Sequence, residues 1–114
     1  MLKRLLTERG YEVFEAGDGS QGVDHLARLG AVDLVLVDWN MPVMDGLEFI
    51  RAVRNVPDYE RTQLLMVTSE SEPAHIARAL MAGADEYAIK PLTMDALTEK
   101  LALLGLEDEL LGDD

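Results

Sequence analysis

The sequence predicts an α/β fold in which a parallel sheet is covered by helices on both faces. Three observations carry that expectation. Short unbroken apolar runs, Leu34–Val37 (LVLV) and Leu64–Val67 (LLMV), each end in a polar residue, as a strand buried on both faces does. The stretches between them place apolar residues at helical spacing. The order is a helix, then strand–helix four times, and such alternation favours a parallel sheet.

Met1–Arg9 is predicted as a helix with Leu2, Leu5 and Leu6 on one face, stopped by Gly10. Tyr11–Ala16 is predicted as a strand, because Tyr11 and Val13 alternate with Glu12. After the loop Gly17–Ser20 a helix runs to about Leu29, with Val23, Leu26 and Ala27 inward. Leu34–Asp38 is the central strand, and Gly46–Arg54 a helix with Leu47, Ile50 and Val53 at helical spacing. Asn55–Arg61 is a polar loop, and Gln63–Thr68 the next strand. Glu72–Met81 is a helix with Pro73 in its first turn, Ile76, Ala79 and Leu80 as its apolar face, and Gly83 as its stop. Glu86–Ile89 is a short last strand. Thr93 caps a final helix that buries Leu97, Leu101 and Leu104.

The 114 residues fit one domain, 1–114, with an acidic tail at 107–114. Lys and Arg number 10 and Asp and Glu 22, a net charge of −12, which disfavours nucleic acid as a partner. No apolar run approaches membrane-spanning length, so a cytoplasmic protein without a membrane partner is expected. The absence of cysteine removes disulfides and thiolate metal sites.

Three strands therefore end in a carboxylate (Asp38), a hydroxyl (Thr68) and an ammonium (Lys90). In an open α/β sheet, ligands bind beyond the carboxyl ends of the strands. A lone strand-end Asp more often only caps its loop; three such ends on adjacent strands point to a site. Asp45 and Gly46 read as loop and helix-start residues, His25 and His75 as non-functional, and Met41 and Met44 as packing residues.

In the stretches VDWNMPVMDG, LLMVTSE and AGADEYAIKPLTMDAL, the chain resembles the receiver domains of response regulators, most of all the single-domain, CheY-like chemotaxis type. The resemblance implies a flavodoxin-like, three-layer parallel sheet of order 2-1-3-4-5. It implies that Asp38 is the phosphoacceptor, that the Asn40 backbone carbonyl and Asp38 bind Mg²⁺, and that Thr68 is the switch hydroxyl. It further implies that Lys90 pairs with the phosphoryl group, that Pro91 follows through a cis peptide bond, that Tyr87 turns inward on activation, and that Glu70 influences dephosphorylation. A histidine kinase is the implied phosphodonor, with a downstream target protein on the face around Tyr87.

Receivers also carry a first strand followed by an acidic pair that binds Mg²⁺. This sequence shows neither, so the expected fold is N-terminally truncated, with the central first strand missing. Its slot lies between Tyr11–Ala16 and Leu34–Asp38. The slot can stay open, about 10 Å wide, close to direct pairing at about 5 Å, or accept a segment of another chain. The isolated polypeptide is expected to be unstable or self-associating. Two functions follow: phosphorylation-dependent two-component signalling, or a degenerate receiver that binds partners without phosphorylation. A haloacid dehalogenase-type phosphatase is disfavoured. Its second Asp, two residues after the nucleophile, is Asn40 here.

Overall fold

The computed structural model describes residues 2–106; the acidic tail at 107–114 lies outside the described residues. The elements, in order, are α1 (Leu2–Glu8), α2 (Gly19–Leu29), β1 (Leu34–Asp38), α3 (Gly46–Arg54), a 3₁₀ turn (Pro57–Tyr59), β2 (Gln63–Thr68), α4 (Pro73–Ala82), β3 (Glu86–Ile89) and α5 (Met94–Leu103). The three strands are parallel in the order β1-β2-β3.

Side chains of β2 alternate between two cores, as the period-2 geometry of a strand requires. Leu64 and Met66 enter a core built with Leu26, Leu47, Phe49, Ile50, Val53 and Ala79 from α2, α3 and α4. Leu65 and Val67 enter a second, built with Leu6 of α1 and Leu97 and Leu101 of α5. The sheet is thus the middle of three layers. Five of the six β2 residues are buried, whereas in β1 only Val37 is.

Helix ends follow the expected chemistry. Asp45 accepts the Glu48 N–H while Glu48 accepts the Asp45 N–H, a reciprocal capping box. The Thr93 hydroxyl accepts the Ala96 N–H, and the Asp18 carboxylate the Gln21 N–H. Arg54 ties α3 to the amino-terminal ends of β2 and β3. Its guanidinium donates to the carbonyls of Gly83, Tyr59 and Thr62 and to the Asp85 carboxylate, which also accepts the Leu64 N–H. Gly83, at φ +122°, makes room for that side chain, because a Cβ there would lie 2.5 Å from Arg54 Cγ.

Three expectations are corrected. Tyr11–Ala16 forms no strand among the described residues. Its alternation is present, with Tyr11 and Val13 packed on the second core and Glu12 and Phe14 exposed. A strand also needs a ladder partner, and among the described residues no strand pairs with this segment. Ala27 is exposed, because α2 turns Gly19, Gly22 and Leu26 inward; a Cβ on Gly22 would meet the Phe49 ring at 2.8 Å. Leu80 is 44 % exposed; Ile76, Ala79 and Ala82 form the α4 face against the core.

Of the three arrangements expected for the slot, the open one is present. A cleft of about 880 Å³ separates Tyr11–Ala16 from β1, with Leu26, Leu34, Leu36 and Phe49 among its walls.

Candidate functional site

The ladder register sets the site. Asp38 lies opposite Val67, and Thr68 opposite Ile89. β2 thus ends one residue beyond β1, and Lys90 directly follows the end of β3, so Asp38, Thr68 and Lys90 form a staircase along the carboxyl edge. Lys90 is two strands from Asp38, about 10 Å at normal inter-strand spacing. Its backbone N–H is fixed by the Thr68 carbonyl at 2.9 Å. From there its side chain leans across β2, and Nζ donates to Asp38 Oδ2 at 2.8 Å.

The other Asp38 oxygen, Oδ1, accepts the Asn40 N–H at 3.1 Å. Asp38 thus does cap its loop, as the simpler reading of a strand-end Asp has it, and also holds a cross-sheet ion pair. Both partners are close to half exposed, which leaves room for an incoming group. Thr68 is fully buried, and its hydroxyl accepts the Glu70 N–H at 3.2 Å. Tyr87 is buried, and its hydroxyl donates to the Glu70 carbonyl. Burial first, and the Glu70 carboxylate second, raise the Tyr87 pKa above 10.0. The Lys90–Pro91 peptide bond is cis.

Gly46 seats α3 against the site. Its N–H donates to the Trp39 carbonyl at 2.8 Å, and a Cβ would lie 2.5 Å from the Asp38 carbonyl oxygen. Only glycine permits that approach. The intervening loop is strained: Val43 has φ 69° inside a turn closed by the Met44 N–H on the Pro42 carbonyl, a conformation β-branched residues avoid.

Sequence reasoning missed Trp39. Its buried ring meets the His75 ring edge-on, with centroids 5.4 Å apart, and the Arg78 guanidinium sits 5.7 Å above it. The residue next to Asp38 is therefore clasped by α4. His75, read from sequence as inert, belongs to this contact; its Nδ1 lies 3.6 Å from Glu70 Oε2 and makes no hydrogen bond. The available signal was a Trp beside the strand-end Asp, with His75 and Arg78 three apart on one helix face.

The oxygens that could hold a metal, by the family resemblance, are those of the Asp38 carboxylate, already bonded through both oxygens, and the Asn40 carbonyl. Among the described residues no group of three or more His, Asp or Glu side chains could hold an ion. This donor set falls short of the octahedral oxygen shell that Mg²⁺ demands.

The family model of the response regulator receiver domain matches residues 1–102. The chemotaxis protein CheY homolog of Campylobacter jejuni is 40 % identical over 102 residues, 89 % of this chain and 78 % of the relative. Among solved structures, the chemotaxis protein CheY4 of Vibrio cholerae superposes with a TM-score of 0.84 at 34 % identity, covering 91 % of this chain and 86 % of that one. A receiver domain of a Pseudomonas aeruginosa sensor histidine kinase, described with magnesium coordinated in its active-site cleft, gives 0.81 at 28 % identity, covering 91 % and 85 %.

Proposed function

The chain belongs to the response regulator receiver family, and on that premise we propose that Asp38 accepts a phosphoryl group from a histidine kinase. The fold is the flavodoxin-like fold of CheY, and the family places the chain in two-component signalling. One observation carries the residue assignment. The Lys90 ammonium reaches across β2 to touch the Asp38 carboxylate at 2.8 Å.

Carboxylates are weak nucleophiles, so phosphoryl transfer onto one depends on positioning and charge neutralisation. In the proposed step an Asp38 oxygen forms the new P–O bond while the bond from phosphorus to the donor breaks and the donor leaves with its electron pair. Asp38 holds its attacking geometry through the Asn40 N–H. Lys90 then bonds the oxygens of the bound phosphoryl group, which carries a charge of roughly −1.5 to −2. The Thr68 hydroxyl turns from the Glu70 N–H toward the same group. That movement loosens the Glu70 segment, which holds the Tyr87 hydroxyl, and the output is a change in the partner-binding face around Tyr87. The chain acts as a signalling domain, in the cytoplasm, with a histidine kinase and a target protein as partners. Mg²⁺ is an expectation of the family that the donors on this chain do not meet by themselves, and no step above runs through it. Among the described residues, no helix is long and apolar enough to cross a membrane.

The test is incubation with acetyl phosphate and Mg²⁺ followed by intact mass and peptide mapping. One phosphoryl group on Asp38 is expected, absent from Asp38→Asn and slower to appear in Lys90→Ala. An unmodified wild-type chain, or modification that survives Asp38→Asn, overturns the assignment.

A further inference from the structure

Glu70 meets its surroundings at three points. Its N–H donates to the Thr68 hydroxyl, and its carbonyl accepts from the Tyr87 hydroxyl. Its carboxylate reaches toward α4, where Oε2 lies 3.6 Å from His75 Nδ1. The first two contacts are hydrogen bonds and the third is too long to be one. His75 Nδ1 is nonetheless buried, with no hydrogen-bond partner among the described residues. A buried polar atom left unpaired is costly, and the carboxylate that would pair it stands about 0.8 Å beyond the reach of a charge-assisted bond.

The ring is held in this position from two sides. The His75 N–H donates to the Glu72 carbonyl in the first turn of α4. Trp39, the neighbour of Asp38, meets the imidazole edge-on with centroids 5.4 Å apart, and Arg78 lies over the same indole at 5.7 Å. His75 therefore stands between the residue beside Asp38 and the segment that follows Thr68.

Charge decides whether the third contact closes. A neutral imidazole carries one proton for two nitrogens, whereas an imidazolium carries one on each, so Nδ1 is then always a donor. Histidine makes that change between about pH 5 and 8. Around the ring, Glu70 supplies a negative charge from the loop before α4, and Arg78 a positive one from α4 itself; Glu72 is exposed. From β3, the Tyr87 hydroxyl is neutral in this range, since burial holds its pKa above 10.0. From α3, Arg54 is turned to the Gly83 carbonyl at the other end of the helix. Beyond Trp39, Asp38 and Lys90 are paired with each other.

We propose that His75 is a proton-operated latch on the Glu70 segment: as an imidazolium it donates from Nδ1 to the Glu70 carboxylate and holds the segment at rest, against the movement of Thr68 and Tyr87. What the latch opposes rests on the proposed role of Asp38; the latch itself rests on the contacts of Glu70 and His75. Linkage makes the effect reciprocal. Acid favours the resting position, and release of the Glu70 segment favours return of the His75 proton to solvent.

The test is hydrogen exchange of the residue 70 amide in the full chain at about pH 8 and pH 5.5, the two sides of the histidine range. Protection is the intrinsic rate divided by the observed one, measured at rest and after acetyl phosphate with Mg²⁺. In the resting parent, protection is expected to rise about threefold on acidification, as one partly exposed ion pair supplies. The rise disappears in His75→Gln and in Glu70→Ala and persists in His25→Gln. Trp39, the single tryptophan, marks the proton separately, because an imidazolium against an indole quenches its emission. Acid quenching is expected in the parent and in Glu70→Ala and is absent from His75→Gln. The phosphorylated parent is expected to keep about threefold more protection at the lower pH, a difference that His75→Gln abolishes. Equal protection at both pH values in the resting parent, a rise that survives either substitution, or equal protection at both pH values in the phosphorylated parent overturns the proposal. Acid protection in a resting chain whose Asp38 takes no phosphoryl group upholds the latch and overturns the assignment of Asp38, so the two fail separately.

Discussion

The two halves of the sheet layer are built from similar residues and end up unlike. On one side β2, with a neighbour on each edge, buries Leu64, Leu65 and Met66 completely, and Arg54 and Asp85 brace it to α3 and β3. On the other, β1 is an edge. Leu34, Val35 and Leu36 stay half-buried over a cleft, and Tyr11–Ala16 carries strand-like alternation without a ladder. β3 is also an edge strand, but α4 and α5 pack over it and bury Tyr87 and Ala88, whereas the open cleft beside β1 leaves its side chains half-buried. Opening free energies follow pairing and burial, so the cleft half is expected to open first.

Paired substitutions of one type, read by urea denaturation, test that contrast most directly. Leu65→Ala removes a fully buried side chain from the braced half and is expected to cost about 3–4 kcal/mol. Leu36→Ala, beside the cleft, is expected to cost about 1–2 kcal/mol. Equal losses would mean that the two halves melt as one unit and are equally packed.

Next in size is the brace. Arg54→Ala removes the donor from the carbonyls of Gly83, Tyr59 and Thr62, and leaves the Asp85 carboxylate with its bond from the Leu64 N–H but without its ion-pair partner. A loss of about 2–3 kcal/mol is expected. Hydrogen exchange should show the damage in the Leu64 and Tyr87 amides and leave α1 unaffected. Damage spread evenly through both halves would break the comparison.

The smallest effect refines the braced half next to the site. Tyr87→Phe loses the bond to the Glu70 carbonyl, at a cost of about 1 kcal/mol near neutral pH. The native phenol keeps its proton to higher pH than an unfolded one, whose value is 10.0. Its stabilising contribution is therefore complete below pH 10 and is lost as pH rises through the native value. Denaturation midpoints measured upward from pH 9 should fall less steeply in Tyr87→Phe than in the parent. Parallel slopes would show that the hydroxyl titrates as it does in water.

Much of this molecule is written in local pattern. The apolar runs at Leu34–Val37 and Leu64–Val67, Thr93 as a cap, Pro73 in a first turn and the polar ends of three strands are all properties of neighbours in sequence, and each stands where the pattern puts it. The tertiary structure decided the rest. It set Lys90 on Asp38 across 52 residues of chain, clasped Trp39 between His75 and Arg78, and turned Leu80 and Ala27 outward. It also left Tyr11–Ala16 without a ladder. Periodicity tells which side chains avoid water, because that is a property of each residue. Which backbone finds a hydrogen-bonding neighbour depends on what lies about 5 Å away in space, and no stretch of sequence carries that by itself.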